Sequence, residues 1–289
     1  MNDLRIAIAS GKGGTGKTTV SVNLFNQIAK NGGKVQLIDC DVEEPNDFIF
    51  FGKNIEPHQE TIYQMIPEID TSKCTFCRKC AIYCEYNAIS VIPGLKHAEV
   101  SKQLCHSCGA CLEACQFGAI NERPHQVGII NTYPTNYQHP LIEGRLKVGS
   151  AMQTLMVKKV KKKAENFTGT TLFDAPPGTS CPVVETISDV DYVVLVTEPT
   201  PFGFHDLKLM ITLVREMSLP FGIVINKAGS GNNSIHEFAQ AEGIEILGEI
   251  PFSKAYAESY SKGKILEEMP ENLSKTYALI ASKLLSIQK

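Results

Sequence analysis

No stretch of this 289-residue chain approaches the roughly 20 consecutive apolar residues that a membrane-spanning helix needs, so no transmembrane segment is expected. A basic excess is missing as well: 28 Lys and Arg stand against 31 Asp and Glu, a formal charge of −3. Nucleic-acid binding leaves a clustered positive footprint, so no nucleic acid is expected as a partner. The opening Met1-Asn2-Asp3 runs straight into a strand-like segment and lacks the basic and long apolar regions of an export signal, which makes a cytoplasmic protein the expectation. With 43% apolar and 20% charged residues the composition is ordinary for a globular protein, and the length suits one large domain plus a small one.

Cysteine is the residue in excess, with ten in all. A reducing compartment disfavours disulfides and leaves metal or redox chemistry as the use for so many thiols. Eight of them form a duplicated run, Cys74-x-x-Cys77-x-x-Cys80-x-x-x-Cys84 and Cys105-x-x-Cys108-x-x-Cys111-x-x-x-Cys115, and Asn87-Ala88-Ile89 recurs as Gly118-Ala119-Ile120 at the same offset. Short x-x steps bring three sulfurs onto one [4Fe-4S] cube, and the fourth must come from elsewhere. In two-cluster ferredoxins it comes from the other run, which pairs Cys74, Cys77, Cys80 and Cys115 around one cluster and Cys105, Cys108, Cys111 and Cys84 around the other. Zinc also suits C-x-x-C pairs, although two interlocked four-cysteine runs are more than a zinc site needs. Glu85 and Gln116 stand where bacterial ferredoxins usually have proline. So small a cluster domain builds little apolar core, and metal binding is expected to fold it.

The second motif is Gly11-Lys12-Gly13-Gly14-Thr15-Gly16-Lys17-Thr18-Thr19. It lies between a buried-type strand, Leu4 to Ala9, and a helical pattern from Thr19 to Lys30, which is the context of a phosphate-binding loop. Loop amides and the helix N-terminus stabilise the β-phosphate, Lys17 reaches the β/γ oxygens and Thr18 ligates Mg²⁺. Lys12 is not needed for that task. Further buried-type strands end in Asp39-Cys40-Asp41 and in Asp174-Ala175-Pro176-Pro177-Gly178, and open parallel sheets bind ligands at such carboxyl ends. Asp174 can hold the Mg²⁺ shell and the Gly178 amide can sense a γ-phosphate. Strands alternating with helices and apolar throughout imply a mainly parallel sheet covered on both faces.

The pattern K-G-G-T-G-K-T, with the two aspartate motifs, resembles the MinD/ParA class of P-loop ATPases, which includes the nitrogenase iron protein. The resemblance covers nearly the whole chain and implies a MinD-like ATPase domain formed by residues 1–60 and 126–289. An inserted α+β domain of bacterial-ferredoxin type, residues 61–125, would hold two [4Fe-4S] clusters. It further implies a dimer, with itself or with a paralogue, that closes on ATP and opens on hydrolysis to ADP. In that dimer Lys12 would reach the partner's phosphates, Asp41 would orient the attacking water, and Asp39 would be an outer-sphere partner of Mg²⁺. Asn226 and Lys227 correspond to the adenine-contacting position and Pro251 to a backbone contact with the base. The function so implied is ATP-gated electron transfer to an unknown redox or metalloenzyme partner. A cluster carrier ATPase and a positioning ATPase are the alternatives, and amidating synthetases fit less well because the sequence shows no glutaminase domain.

Three stretches stay open. Cys181, after the second aspartate motif, reads as a helix-start thiol or as an interfacial ligand, and Cys40 as a buried thiol. Lys158, Lys159, Lys161, Lys162 and Lys163 read as a solvated helix face or as a docking patch for an acidic partner. The amphipathic Glu271 to Lys289, with Tyr277, Ile280, Leu284 and Ile287 at helical spacing, fits docking on the sheet better than a membrane surface.

Overall fold

The computed structural model describes residues 3–52, 55–135, 139–229 and 233–287; Met1 and Asn2 of the opening segment and Gln288 and Lys289 of the amphipathic C-terminal stretch lie outside them. The chain divides into two compact units, one of residues 1–59, 130–145 and 157–289 and the other of residues 60–129 and 146–156. The strands in chain order are β1 (Leu4–Ala9), β2 (Val35–Asp39), β3 (His58–Ile69), β4 (Ile89–Ile92), β5 (His97–Val100), β6 (Ile120–Pro134), β7 (Pro140–Leu146), β8 (Thr170–Asp174), β9 (Tyr192–Thr197), β10 (Phe221–Ala228) and β11 (Ile246–Pro251). The helices are α1 (Lys17–Lys30), α2 (Lys79–Ile82), α3 (Ala110–Ala114), α4 (Gln153–Lys163), α5 (Cys181–Ile187), α6 (Pro201–Glu216), α7 (Ser234–Ala241), α8 (Lys254–Ser261) and α9 (Glu271–Leu285).

Among the described residues, nine strands form one sheet in the order β11-β10-β9-β1-β8-β2-β7-β6-β3. The ladders from β11 to β7 are parallel, with registers such as Ile8 opposite Asp174 and Asp39 opposite both Asp174 and Glu143. Successive side chains of a strand point to opposite faces, so near-continuous apolar strands require cover on both. Leu4, Ile6 and Ile8 of β1 and Tyr192, Val194 and Val196 of β9 join one core with Val20, Leu24 and Ile28 of α1 and Leu273, Tyr277, Ile280 and Leu284 of α9. The alternate residues Ala7, Ala9, Val193 and Leu195, also buried, face the side where α5 packs on β1 and α6 on β9. This is the α/β P-loop architecture expected from the sequence, and the C-terminal segment docks on α1 and β11.

Helix α1 begins after Gly16, which is left-handed at φ 96°, and stops at Asn31-Gly32-Gly33, where the amides of Gly32 and Gly33 return to the carbonyls of Ala29 and Ile28. The lysine-rich α4 is less uniform than its sequence suggests. Lys158 is exposed, but Lys161 is buried with its ammonium on Asp189 and the Glu185 carbonyl, so it belongs to the packing and not to a solvated face.

In the second unit, β4 and β5 form an antiparallel hairpin, and Ile89, Val91 and Ile120 pack against Cys80 and Cys111. The unit also takes in residues 146–156, which the family resemblance places in the ATPase part; the Lys147 amide bonds to the Val127 carbonyl at 2.8 Å. Pro67 and the polar Glu68 to Lys73 suggest a boundary; Pro67 and Glu68 lie in the last residues of β3, and 70–73 form the turn that follows it. The alternation in β3 of buried Ile62, Gln64 and Ile66 with exposed Tyr63 and Met65 is a strand period, so local polarity misleads there.

Candidate functional site

The phosphate-type loop leaves β1 at Ser10 and enters α1 at Lys17. Two glycines are fixed by contact. A Cβ on Gly11 would lie 2.4 Å from the Asp206 carbonyl oxygen, and one on Gly16 would lie 2.1 Å from Asn226 Nδ2. Gly14, at φ 79°, supplies a second left-handed turn, while Gly13 faces open space. Asn226 Nδ2 donates to the Thr15 carbonyl at 2.7 Å and its Oδ1 accepts from the Lys227 amide, so its side chain braces the loop from the end of β10. Thr18 Oγ1 and Ser21 Oγ donate to the two oxygens of Asp174 at 2.8 and 2.9 Å.

A cavity of about 450 Å³ opens over this loop. Gly13, Gly14, Gly16, Lys17, Thr18 and Thr19 line one end, with Asp41 and Pro177; Asn226, Lys227 and Pro251 line it with Phe252, Tyr256 and Tyr260. A phosphate cradle at one end and aromatic rings elsewhere in the wall suit a nucleotide. Gly11, Lys12 and Thr15 stand outside the lining, as do Asp39, Asp174 and Gly178. The Gly178 amide is engaged with the Ser10 carbonyl at 3.0 Å, so it must leave that bond before it can sense a phosphate.

The carboxylates form a buried group. Asp39 accepts the amides of Asp41, Asn46 and Asp47 at 3.0, 2.8 and 3.1 Å, and so shapes the turn after β2. Burial, reinforced by neighbouring Asp174, raises Asp39 well above the usual carboxylate range; burial raises Asp174 too, against the pull of Lys17. Asp41 is raised by burial and Asp174 and lowered by Lys17, which leaves it a better proton acceptor than a free carboxylate. A hard divalent ion fits the hydroxyl of Thr18 and the carboxylate of Asp174.

Glu198, at the end of β9, belongs to no motif, yet it decides where Lys12 lies. Lys12 Nζ is 2.6 Å from Glu198 Oε1, and Lys227 Nζ is 2.9 Å from Glu198 Oε2 and 3.3 Å from the Gly14 carbonyl. The side chain of Glu198 is 12% exposed. Burial raises its carboxyl, but the hydrogen bonds from the two lysines outweigh that and hold it below its ordinary range. Lys12 is thus tied back within its own chain. Motifs also miss Tyr256 and Tyr260, one turn apart on α8, and their spacing on one helix face is the available sequence signal.

The cysteines of the second unit are all free thiols. Cys74, Cys77, Cys80 and Cys115 line one cavity, and Cys84, Cys105, Cys108 and Cys111 line another, which is the crossed partition of the two-cluster ferredoxin rule. Backbone amides of Phe76, Ala88 and Ser107 point at the sulfurs of Cys74, Cys84 and Cys105 at 3.3–3.5 Å. Left-handed residues recur in both halves: Phe76, Arg78 and Asn87 in the first, Ser107, Gly109 and Gly118 in the second. Each pocket gathers four thiols, the donor number and type that an iron–sulfur cube takes. Cys40 is buried and its thiol is pushed far up, mainly by burial, while Cys181 is exposed at the start of α5.

A model of the CobQ/CobB/MinD/ParA nucleotide binding domain matches residues 6–266. An uncharacterized protein of Methanocaldococcus jannaschii, MJ0578, is 34% identical over 230 residues, covering 79% of this chain and 80% of its own length. An iron-sulfur cluster carrier protein of Aquifex aeolicus is 25% identical over 296 residues, 96% of this chain and 66% of that protein. Among solved structures, the septum site-determining protein MinD of Pyrococcus horikoshii, complexed with Mg-ADP, shares the fold at a TM-score of 0.61 and 17% identity, over 98% of this chain and 96% of that one. No helix among the described residues is long and apolar enough to cross a membrane. With the loop, the strand-end aspartates and the parallel sheet in place, the chain belongs to the CobQ/CobB/MinD/ParA nucleotide-binding domain family.

Proposed function

We propose that this protein is a Mg²⁺-dependent ATPase whose dimer closes on ATP and couples nucleotide state to electron transfer through two [4Fe-4S] clusters, for a redox or metalloenzyme partner. The observation that carries this reading is the presence, in one chain, of a nucleotide-sized cavity over the loop and of two separate four-thiol pockets. Lys17 and the loop amides hold the phosphates, Thr18 and Asp174 hold the Mg²⁺, and Asp41 orients water at the open end of the site. Asn226 acts through the loop, since its side chain holds the Thr15 carbonyl, and Lys227 and Pro251 bound the base side of the cavity. Lys12 exchanges Glu198 for the partner's phosphate when the dimer closes. The clusters supply one-electron chemistry when bound; the chain's own part is to offer eight thiolates in two sets and amides aimed at their sulfurs.

The relative named an iron-sulfur cluster carrier protein favours a second reading, in which a cluster is cargo. Carriers of that kind hold a labile cluster between subunits through a late C-x-x-C pair. After Cys115 this sequence has only Cys181, which supports resident clusters instead. Anaerobic purification followed by an EPR-monitored redox titration, without nucleotide and with ATP in Asp41→Ala protein, separates the readings. The redox reading requires two clusters per chain whose potentials move with ATP. Unmoved potentials, with rapid transfer of iron and sulfide to an apo-acceptor, establish the carrier.

A further inference from the structure

Asp47 has no assigned part in the machinery above, yet it is the least explained polar side chain in the nucleotide-binding unit. It opens the 3-10 turn Asp47–Phe50 just beyond β2, is 0% exposed, and neither of its carboxylate oxygens has a hydrogen-bond donor among the described residues. One oxygen from each of Asp39, Asp47 and Asp174 lies within 4.8 Å of the other two, and all three residues are buried. The surroundings treat the three unequally. Asp39 is satisfied by three backbone amides and Asp174 by the hydroxyls of Thr18 and Ser21, whereas Asp47 meets only the carboxylates beside it.

Charge sharpens the problem. Glu143, the register partner of Asp39 on β7, is buried as well; Asn131, Tyr133 and Arg145 engage its Oε1. The nearby Lys17 is one cation against three carboxylates in contact. Removing ionised carboxylates from water without a counter-charge is strongly unfavourable, so the cluster either shares protons or gains a further positive partner. Oxygen ligands of a common Mg²⁺, Mn²⁺ or Ca²⁺ stand about 2.0–2.6 Å from the ion, hence up to about 5 Å from one another, and the observed spacing meets that geometry.

We propose that Asp39, Asp47 and Asp174 form a site for a hard divalent cation that is occupied before any nucleotide binds, with Asp47 as its dedicated ligand. This goes beyond the ion that accompanies a bound nucleotide at Thr18 and does not depend on the redox reading. It makes the metal a resident of the end of the sheet, ready beside the phosphate loop.

The test is a Mn²⁺ titration of nucleotide-free, chelator-treated protein with its clusters intact, following the free-ion EPR signal. The expected result is one Mn²⁺ per chain at micromolar concentrations, at least a tenfold loss in Asp47→Asn, and a change of less than about twofold in Asp41→Asn, which lies outside the cage. Asp47→Leu removes the buried charge altogether, so it is expected to unfold no earlier than metal-free parent protein and to lose the binding and the upward shift in unfolding temperature that Mn²⁺ gives the parent. Absence of Mn²⁺ binding by the parent at 1 mM overturns the proposal and assigns the cluster to a shared proton. Stoichiometric binding that persists in folded Asp47→Asn or Asp47→Leu overturns it equally.

Discussion

Replacing Glu198 by Gln tests the idea that the resting chain restrains its own signature lysine. In the structure Glu198 holds Lys12 and Lys227 at once, through contacts of 2.6 and 2.9 Å. A hydrogen bond to a charged group contributes about 1.5–3 kcal/mol net. The lysine side chains are 31% and 42% exposed, which screens the pair towards about 1 kcal/mol. Gln keeps the shape and an acceptor but not the charge. The proposed dimer would free two Lys12 side chains on closing, so Glu198→Gln should lower the closure cost by about 2 kcal/mol, roughly a 30-fold tighter dimer at 1.4 kcal/mol per tenfold. Sedimentation with a non-hydrolysable ATP analogue reads this directly. The sign with pH follows from the lowered carboxyl of Glu198: its contribution is present above the ordinary carboxylate range and is lost as pH falls through the depressed value. The advantage of the variant should therefore be constant at neutral pH and vanish only in strong acid. A variant that binds nucleotide normally but dimerises no better than the parent refutes the restraint.

Other predictions rest on single contacts. Lys12→Ala should leave nucleotide affinity within about threefold, because Lys12 stands outside the cavity lining, while turnover falls by an order of magnitude or more; equilibrium binding and phosphate release measure the two. Gly16→Ala should abolish nucleotide binding, since the new methyl meets Asn226 Nδ2 at 2.1 Å and the φ of 96° is unfavourable for alanine; adding Asn226→Ala should relieve the clash but not the strain, so binding in the double variant stays weak by calorimetry. Ile280→Ala should cost about 2–5 kcal/mol in urea unfolding, because this fully buried side chain joins α9 to the core and touches Gly248.

The parts of the site written in contiguous residues are legible in the amino-acid sequence alone. The glycine loop, the strand-end Asp39 and Asp174, and the paired cysteine runs each concentrate their chemistry within a few positions, so spacing alone conveys the geometry. Glu198 and Asp47 are different. Glu198 matters because β9 lies next to β1, which brings the end of one strand beside the loop that leaves the other. Asp47 reads as an ordinary polar turn residue, and only the order β8-β2-β7, which sets β2 among its neighbours, reveals that its side chain is sealed from water. Asn226 is placed at the nucleotide by resemblance, and it does line the cavity, but its amide is spent on Thr15, a long-range pairing that no local pattern encodes.

The duplicated cysteine loops share a backbone path but not the means of holding it. Where the later copy has Gly109 and Gly118 in the left-handed region, the earlier copy has Arg78 and Asn87, and a non-glycine residue there costs about 1–2 kcal/mol, less for Asn. The two repeats are therefore unequal as templates: the glycine-bearing half takes its left-handed turns without side-chain strain, and its partner takes them at a cost. On the proposed two-cluster reading this asymmetry is expected to set an order, with amides around Cys105 to Cys111 gaining protection from hydrogen exchange before those around Cys74 to Cys80 as iron and sulfide are supplied. Simultaneous protection of the two halves would show that the repeats are equivalent in practice. An internal doubling would in this way set a timetable for assembly.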